Sequence, residues 1–144
     1  MASTKNTVLI VDDDEDILEL LLYNLKSDGY HVEIAKDGIQ AIEVAKSTLP
    51  ELIIMDIMMP RMDGVEACRH IRQVPELANA HIIFLTARVE EYSEIAAFDS
   101  GADDYLMKPI KPRALMSRVN AFFKKVKRSK GSTTVLQFGD LKID

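Results

Sequence analysis

The sequence is poor in several features that would mark a specialised class of protein. It has one cysteine, Cys68, so no internal disulfide can form, and no cysteine or histidine cluster surrounds it to hold zinc. No apolar run reaches the roughly 20 residues that a membrane-spanning helix needs, and the polar N-terminus lacks a signal-peptide pattern. Internal repeats and low-complexity tracts are also missing. We therefore expect a compact, soluble, cytoplasmic protein without a membrane partner, in which Cys68 is an ordinary small helix residue.

Charge is distributed unevenly along the 144 residues. Positions 1–123 carry 12 basic and 21 acidic side chains, whereas positions 124–144 carry 6 basic and 2 acidic ones. An acidic body does not attract nucleic acid, so any DNA contact must come from the basic tail or from residues beyond it. With 47% hydrophobic residues, the chain has the length and composition of one domain with a good core.

Short apolar runs alternate with segments of helical periodicity. The apolar runs predict five strands, β1 to β5, at residues 8–11, 31–35, 52–55, 82–85 and 105–107. Helical spacing and stop signals such as Gly29 predict five helices, α1 to α5, at about residues 17–28, 38–49, 64–72, 91–100 and 115–126. Strict alternation of this kind is typical of the α/β class. It predicts a doubly wound (βα)5 fold, in which a five-stranded parallel sheet has helices on both sides.

Four of these predicted strands run directly into polar residues. Asp12 and Asp13 follow β1, Asp56 follows β3, Thr86 follows β4, and Lys108 follows β5. The carboxyl ends of parallel strands lie at one edge of the sheet, where open α/β sheets place their functional sites. We therefore expect three carboxylates, a hydroxyl and an ammonium group to lie together.

The three carboxylates of Asp12, Asp13 and Asp56 are suited to a hard divalent cation. With a backbone carbonyl and waters, they match the oxygen octahedron that Mg²⁺ prefers. The acids of Asp14–Asp16 have a simpler explanation, because negative charge and a capping side chain favour the start of a helix. The sequence thus predicts a Mg²⁺ site built from the acids at the strand ends.

Beside Mg²⁺, the Asp56 carboxylate can attack phosphorus and become an aspartyl phosphate. Lys108 can offset the charge of one phosphoryl oxygen, and the Thr86 hydroxyl can donate to another. A lysine is usually a surface charge and a threonine at a strand end is usually a cap, but their occurrence at successive strand ends favours phosphoryl transfer. A cis peptide bond at Lys108–Pro109 is a further hypothesis, because it would turn the lysine inward.

These motifs together resemble the receiver domain of two-component response regulators. The resemblance covers about residues 7–127 and is carried by V-D-D-D at 11–14, M-D-I-M-M-P at 55–60 with D-G at 63–64, L-T-A-R at 85–88 and G-A-D-D-Y-L-M-K-P at 101–109. It implies a flavodoxin-like, CheY-like receiver fold in which Asp56 accepts a phosphoryl group from a sensor histidine kinase. It also implies that Asp12, Asp13 and the Met58 backbone carbonyl bind Mg²⁺ with Asp56, and that Lys108 binds the phosphoryl group.

The same resemblance implies a conformational switch. Thr86 and Tyr105 are similar to the family's switch pair, in which the phosphoryl group draws in the hydroxyl and the aromatic ring turns inward. That change remodels the α4-β5-α5 face. Asp103 and Arg118 match positions that form an ion pair between subunits on this face, which implies a homodimer on phosphorylation. A second expected pair is missing, because Glu94 and Ala114 stand at its positions.

The tail extends the resemblance to the OmpR/PhoB-type subfamily of transcription factors. We predict a receiver at 1–123, the end of the last helix and a basic linker at 124–134, and a strand at 135–144. The last segment is similar to the opening strand of a winged-helix DNA-binding domain. Because that strand has no partner before the sequence stops, we expect a fragment of a longer DNA-binding regulator.

Two other classes of function are compatible with parts of this pattern. One is a single-domain receiver that acts by protein–protein interaction or phosphorelay. The other is an enzyme on the same fold, but an aspartate-based phosphohydrolase needs an acid where Met58 stands. A flavodoxin-like redox protein needs a phosphate-binding loop where the acids after β1 stand. We therefore expect a regulator and not an enzyme that turns over an external substrate.

Overall fold

The computed structural model describes residues 6–87 and 99–135, with side chains described as far as Lys127. The predicted α4 lies outside these ranges except for its last two residues. The other elements are β1 (Thr7–Val11), α1 (Glu15–Ser27), β2 (His31–Ala35), α2 (Gly38–Thr48), β3 (Leu52–Asp56), α3 (Gly64–Arg72), a 3₁₀ turn (Pro75–Leu77), β4 (His81–Thr86), β5 (Asp104–Met107) and α5 (Pro112–Val135).

The five strands form one parallel sheet in the order β2-β1-β3-β4-β5, which confirms the predicted fold class. Every residue of β3, the central strand, is buried, as expected for a strand covered on both faces. The strand order reverses between β1 and β3, and ligands of open α/β sheets bind in the crevice at such a switch point. Asp12 follows β1 and Asp56 ends β3, so both acids lie at this crevice.

Aspartates cap the first three helices. The side chains of Asp14, Asp37 and Asp63 each accept a hydrogen bond from a backbone N–H in the first turn of α1, α2 and α3. Such a cap stabilises a helix by roughly 1 kcal/mol because it pairs a donor that has no partner inside the helix. The prediction that the acids of Asp14–Asp16 start a helix is confirmed.

An apolar cluster covers one face of the sheet. Alternate strand residues such as Leu9, Val11 and Phe84 enter it, while Val8 and Ile10 are buried on the opposite side of β1. Burial of each large side chain stabilises the fold by roughly 1.5–3 kcal/mol. The cluster's residues from α2 and α3 are Ala41, Ala45, Val65, Ala67, Cys68 and Ile71. Cys68 is a buried free thiol, in agreement with the structural role predicted for it.

The chain divides into one compact unit up to Pro112 and a second that begins at Arg113. In the second unit, α5 buries Leu115, Val119 and Phe123 at helical spacing. Residues 124–134, predicted as the end of the last helix and a basic linker, are helical throughout, because α5 continues to Val135. Their basic residues are good helix formers, and that propensity outweighs the Ser, Thr and Gly on which the linker prediction depended. Of the strand predicted at 135–144, only Val135 belongs to the described residues, and it is the last residue of α5. The rest of the predicted strand lies outside them. The division of the chain into a receiver, a linker and a further strand stays a prediction.

In the described part of the chain, no helix has both the length and the apolar character required to cross a membrane.

Candidate functional site

The carboxylates predicted from the ends of β1 and β3 lie together. Asp12 is fully buried and Asp56 is 4% exposed, whereas Asp13 is exposed. One carboxylate oxygen from each residue lies within 4.8 Å of the others. Two of the acids are thus held in the sheet's crevice, and the third is accessible to solvent.

Lys108 brings a positive charge to both buried acids. Its Nζ lies 3.3 Å from Asp56 Oδ1 and 3.4 Å from Asp12 Oδ2. The Lys108 backbone N–H donates to the Thr86 carbonyl at 2.8 Å, which fixes the chain just after β5. The Lys108–Pro109 peptide bond is cis, so that hypothesis is confirmed.

The pKa values of these groups reflect crowded negative charge. Burial and the charge of Asp12 raise the pKa of Asp56 to about 6, although Lys108 opposes the shift. Burial also raises the pKa of Asp12. For Lys108, burial acts to lower the pKa, but the nearby Asp56 and Asp12 carboxylates outweigh it and the pKa is raised. One ammonium group therefore serves two buried carboxylates, and negative charge remains in excess.

The cluster has the properties of a divalent-cation site. Asp12 Oδ1 accepts the backbone N–H of Asp14 at 2.9 Å. Among the described residues, the buried Asp12 Oδ2 has no hydrogen-bond partner and contacts Lys108 as an ion pair at 3.4 Å. Lys108 compensates this oxygen only in part, because its single charge is shared with Asp56, and a buried charge that is incompletely paired is unfavourable. Oxygen ligands of this kind suit Mg²⁺. The three acids therefore fit the predicted metal.

The loop between β3 and α3 turns tightly beside Asp56. The Gly64 N–H donates to the Ile57 carbonyl at 2.8 Å. A Cβ on Gly64 would lie 2.4 Å from the Asp56 carbonyl oxygen, so only glycine fits there. Met58 is 49% exposed at the start of this loop, and its backbone N–H acts to lower the pKa of Asp56. The role of the Met58 carbonyl as a metal ligand stays a prediction.

The predicted switch residues lie on β4, which pairs with β3, and on β5, the edge strand beyond it. Thr86 is buried as the last residue of β4, one position beyond Leu85, which pairs with Asp56. Tyr105 is partly buried on β5, opposite Phe84, and packs against the apolar cluster. Both are thus placed along the path from Asp56 to the edge of the sheet, and the switch itself stays a prediction.

Asp103, predicted to lie on a dimer face, makes contacts within its own chain. Its carboxylate accepts from Arg72 Nη2 at 2.9 Å and from the Ile82 backbone N–H at 2.9 Å. Arg72 was not predicted as a functional or structural residue, since nothing in its position in the sequence signals these contacts. Arg118 is an exposed residue of α5, and Glu94 lies outside the described residues. The ion pair between subunits is therefore untested.

A second contact that sequence reasoning missed lies beside the metal-site loop. Arg61, in that loop, forms an ion pair with Asp37, the N-cap of α2. The sequence showed an Asp-Gly turn at 37–38 and a basic residue at 61, but only the fold brings them together.

Comparison with known proteins agrees with this geometry. The family model for the response regulator receiver domain matches residues 8–120. Among curated proteins, the chain is similar to the alkaline phosphatase synthesis transcriptional regulatory protein PhoP of Bacillus subtilis. The two are 38% identical over 94% of this chain and 59% of that protein. The chain thus spans about three fifths of the length of this relative.

The chain is also similar to several solved structures. One is a response regulator from Chloroflexus aurantiacus, with a TM-score of 0.76 and 38% identity over 82% of this chain and 97% of that chain. Another is the receiver domain of a sensor histidine kinase from Pseudomonas aeruginosa, whose active-site cleft coordinates a magnesium ion. It has a TM-score of 0.75 and 31% identity over 82% of this chain and 97% of that chain.

Proposed function

The chain belongs to the response regulator receiver family, and from that premise we propose that Asp56 accepts a phosphoryl group from a sensor histidine kinase in a Mg²⁺-dependent reaction. The observation that carries the proposal is the placement of Lys108 Nζ, 3.3 Å from Asp56 and 3.4 Å from Asp12. A cation in this position can offset charge on an incoming phosphoryl group. The excess of buried carboxylate beside it leaves a site for Mg²⁺.

Transfer requires mainly positioning and charge stabilisation. A carboxylate oxygen of Asp56 forms a bond to phosphorus as the bond between phosphorus and the kinase's histidine nitrogen breaks. Lys108 pairs with one phosphoryl oxygen, and the Thr86 hydroxyl donates to another. The protein acts here as the acceptor of the group and not as an enzyme with an external substrate.

Mg²⁺ would be held by Asp12, Asp13, Asp56 and the Met58 carbonyl. Bound Mg²⁺ supplies positive charge that reduces repulsion between the carboxylate and the phosphoryl oxygens. The observation behind this assignment is the buried Asp12 Oδ2, to which no residue in the described part of the chain donates a hydrogen bond. The similar receiver domain with a coordinated magnesium ion supports it.

The output is control of transcription by a cytoplasmic regulator. Phosphorylation moves Thr86 and Tyr105, remodels the α4-β5-α5 face and favours a homodimer, which binds DNA through a C-terminal domain absent from this chain. The similarity to a transcriptional regulatory protein supports this part of the proposal. So does its greater length, since this chain covers 59% of it.

The test is intact-mass measurement after incubation with Mg²⁺ and a small-molecule phosphodonor. We expect a gain of one phosphoryl group in the wild type, and none in Asp56→Asn or when a chelator removes the metal. Asp28→Asn, at the C-terminal end of α1, is the matched control and should gain the group normally. No gain in the wild type with any donor, or a gain that persists in Asp56→Asn, would contradict the proposal.

A further inference from the structure

The loop at residues 57–63 carries the proposed Met58 ligand, and a second element holds this loop in its middle. Asp37 lies where the chain leaves β2 and enters α2, and it is 7% exposed. Its Oδ1 accepts the Gln40 N–H at 2.8 Å, which caps α2, and its Oδ2 accepts from Arg61 Nη2. One carboxylate thus joins the start of a helix to the loop beside the metal site.

The loop backbone also lies directly on the start of α2. A Cβ on Gly38 would lie 2.4 Å from the Met62 carbonyl oxygen and 2.9 Å from the Met62 side chain. Arg61 adopts a positive φ of 71°, which a non-glycine residue rarely does without compensating contacts. Its ion pair with Asp37 is such a contact. The conformation of the loop therefore depends on Asp37, Gly38 and Arg61 together, which we name the α2 clasp.

We propose that the α2 clasp positions the Met58 carbonyl for Mg²⁺, so that Asp37 and Arg61 are positioning residues for metal binding. Mg²⁺ demands nearly ideal octahedral geometry. A ligand on an unrestrained loop would lose conformational freedom when it binds, and that loss weakens affinity. A loop already fixed at Arg61, and at Gly64 beside Asp56, avoids this cost. The inference rests on the proposed function, because it takes the acids at the sheet edge as the Mg²⁺ site.

If Arg61 and Asp37 acted on Mg²⁺ only through their charges, the expected changes in Mg²⁺ affinity would be different. Arg61 is a cation near a cation site, so its removal by Arg61→Ala would strengthen Mg²⁺ binding through reduced repulsion. Removal of negative charge by Asp37→Asn would weaken binding. The α2 clasp predicts weaker binding for both variants. The sign of the change in Arg61→Ala therefore separates positioning from simple electrostatics.

The experiment is calorimetric titration of the folded, metal-free chain with Mg²⁺ at about physiological ionic strength, which screens distant charges. We expect Arg61→Ala and Asp37→Asn each to raise the Mg²⁺ Kd roughly threefold to fivefold, the factor for loss of an ion pair. Asn at position 37 keeps an oxygen that can cap α2, so its effect reports the ion pair. Arg61→Lys should recover part of the affinity, and the double variant should be no weaker than the single ones.

Arg69→Ala is the matched control, since Arg69 is an exposed arginine of α3, and it should bind Mg²⁺ like the wild type. In phosphorylation assays, the two clasp variants should need more Mg²⁺ for half-maximal rate but reach the wild-type rate at saturation. An Arg61→Ala Kd equal to or below the wild-type value would overturn the inference and leave the proposed function intact. A wild type that binds no Mg²⁺ would overturn both.

Discussion

At the scale of single residues, the distinctive feature is that two buried carboxylates share the ammonium group of Lys108. Burial and Asp12 raise the pKa of Asp56 from 3.8 to about 6. Between these values the folded chain binds more protons than the unfolded chain, so stability falls as pH rises through this window. The same charge that destabilises the metal-free fold is the charge that a cation would neutralise.

We therefore predict that Asp56→Asn stabilises the metal-free protein near pH 7.5, by roughly 1–3 kcal/mol, the free energy of the pKa shift. The difference from the wild type should disappear below about pH 4, where both forms of position 56 are neutral. Urea unfolding in the presence of a chelator, at both pH values, measures this. Glu43→Gln, the same loss of charge at an exposed position of α2 outside the acidic site, is the control and should leave stability near the wild-type value. Equal wild-type and Asp56→Asn stability at pH 7.5 would contradict the prediction.

At the scale of elements, Arg72 links the end of α3 to two segments that precede strands. Its Nη1 donates to the Leu77, Ala78 and Ala80 carbonyls, and its Nε donates to the Gly101 carbonyl. The side chain is only 18% exposed. One guanidinium thus donates hydrogen bonds to backbone carbonyls in the segment before β4 and in the segment before β5. Its planar group of N–H donors reaches both segments at once.

Arg72→Ala should destabilise the fold by about 2–4 kcal/mol, because partly buried acceptors and the Asp103 carboxylate lose a charged donor. Arg72→Lys should recover little, since an ammonium group cannot reproduce the fork. Arg69→Ala, an exposed change on the same helix, should stay within about 0.5 kcal/mol of the wild type. Chemical denaturation of the three variants decides the matter, and a loss in Arg72→Ala no larger than that in Arg69→Ala would refute it.

Elements of this fold differ in how far the sequence predicts them. Most of the strands could be predicted because they are apolar runs, and the polar ends of four of them predicted the buried acids and Lys108. The contacts of Arg72 and Arg61 could not, since their partners are brought near only when the chain has folded. Residues 124–134 could not be assigned to a linker or a helix from the sequence for a different reason. Their composition is compatible with both a linker and a helix, and α5 continues through them.

At the scale of the whole molecule, the proposed output requires two chains. Asp103 was predicted to pair with Arg118 of a second subunit, but Arg72 and the Ile82 N–H already hold its carboxylate. Replacement of Asp103 would therefore disturb the monomer as well as any dimer. Arg118, exposed on α5, is the predicted partner position, and a charge reversal there tests the predicted face.

We predict that light scattering shows a mass near that of two chains when Mg²⁺ and a phosphate mimic are added. Arg118→Glu should weaken this dimer by at least about tenfold, since it places like charges in the interface. The variant should still gain a phosphoryl group, because the substitution lies outside the acidic site. Lys46→Glu, the same charge change at an exposed position of α2, should dimerise normally. A wild-type mass that does not respond to the mimic would exclude phosphorylation-driven dimerisation of this chain, whereas an Arg118→Glu dimer as strong as the wild type would place the interface elsewhere.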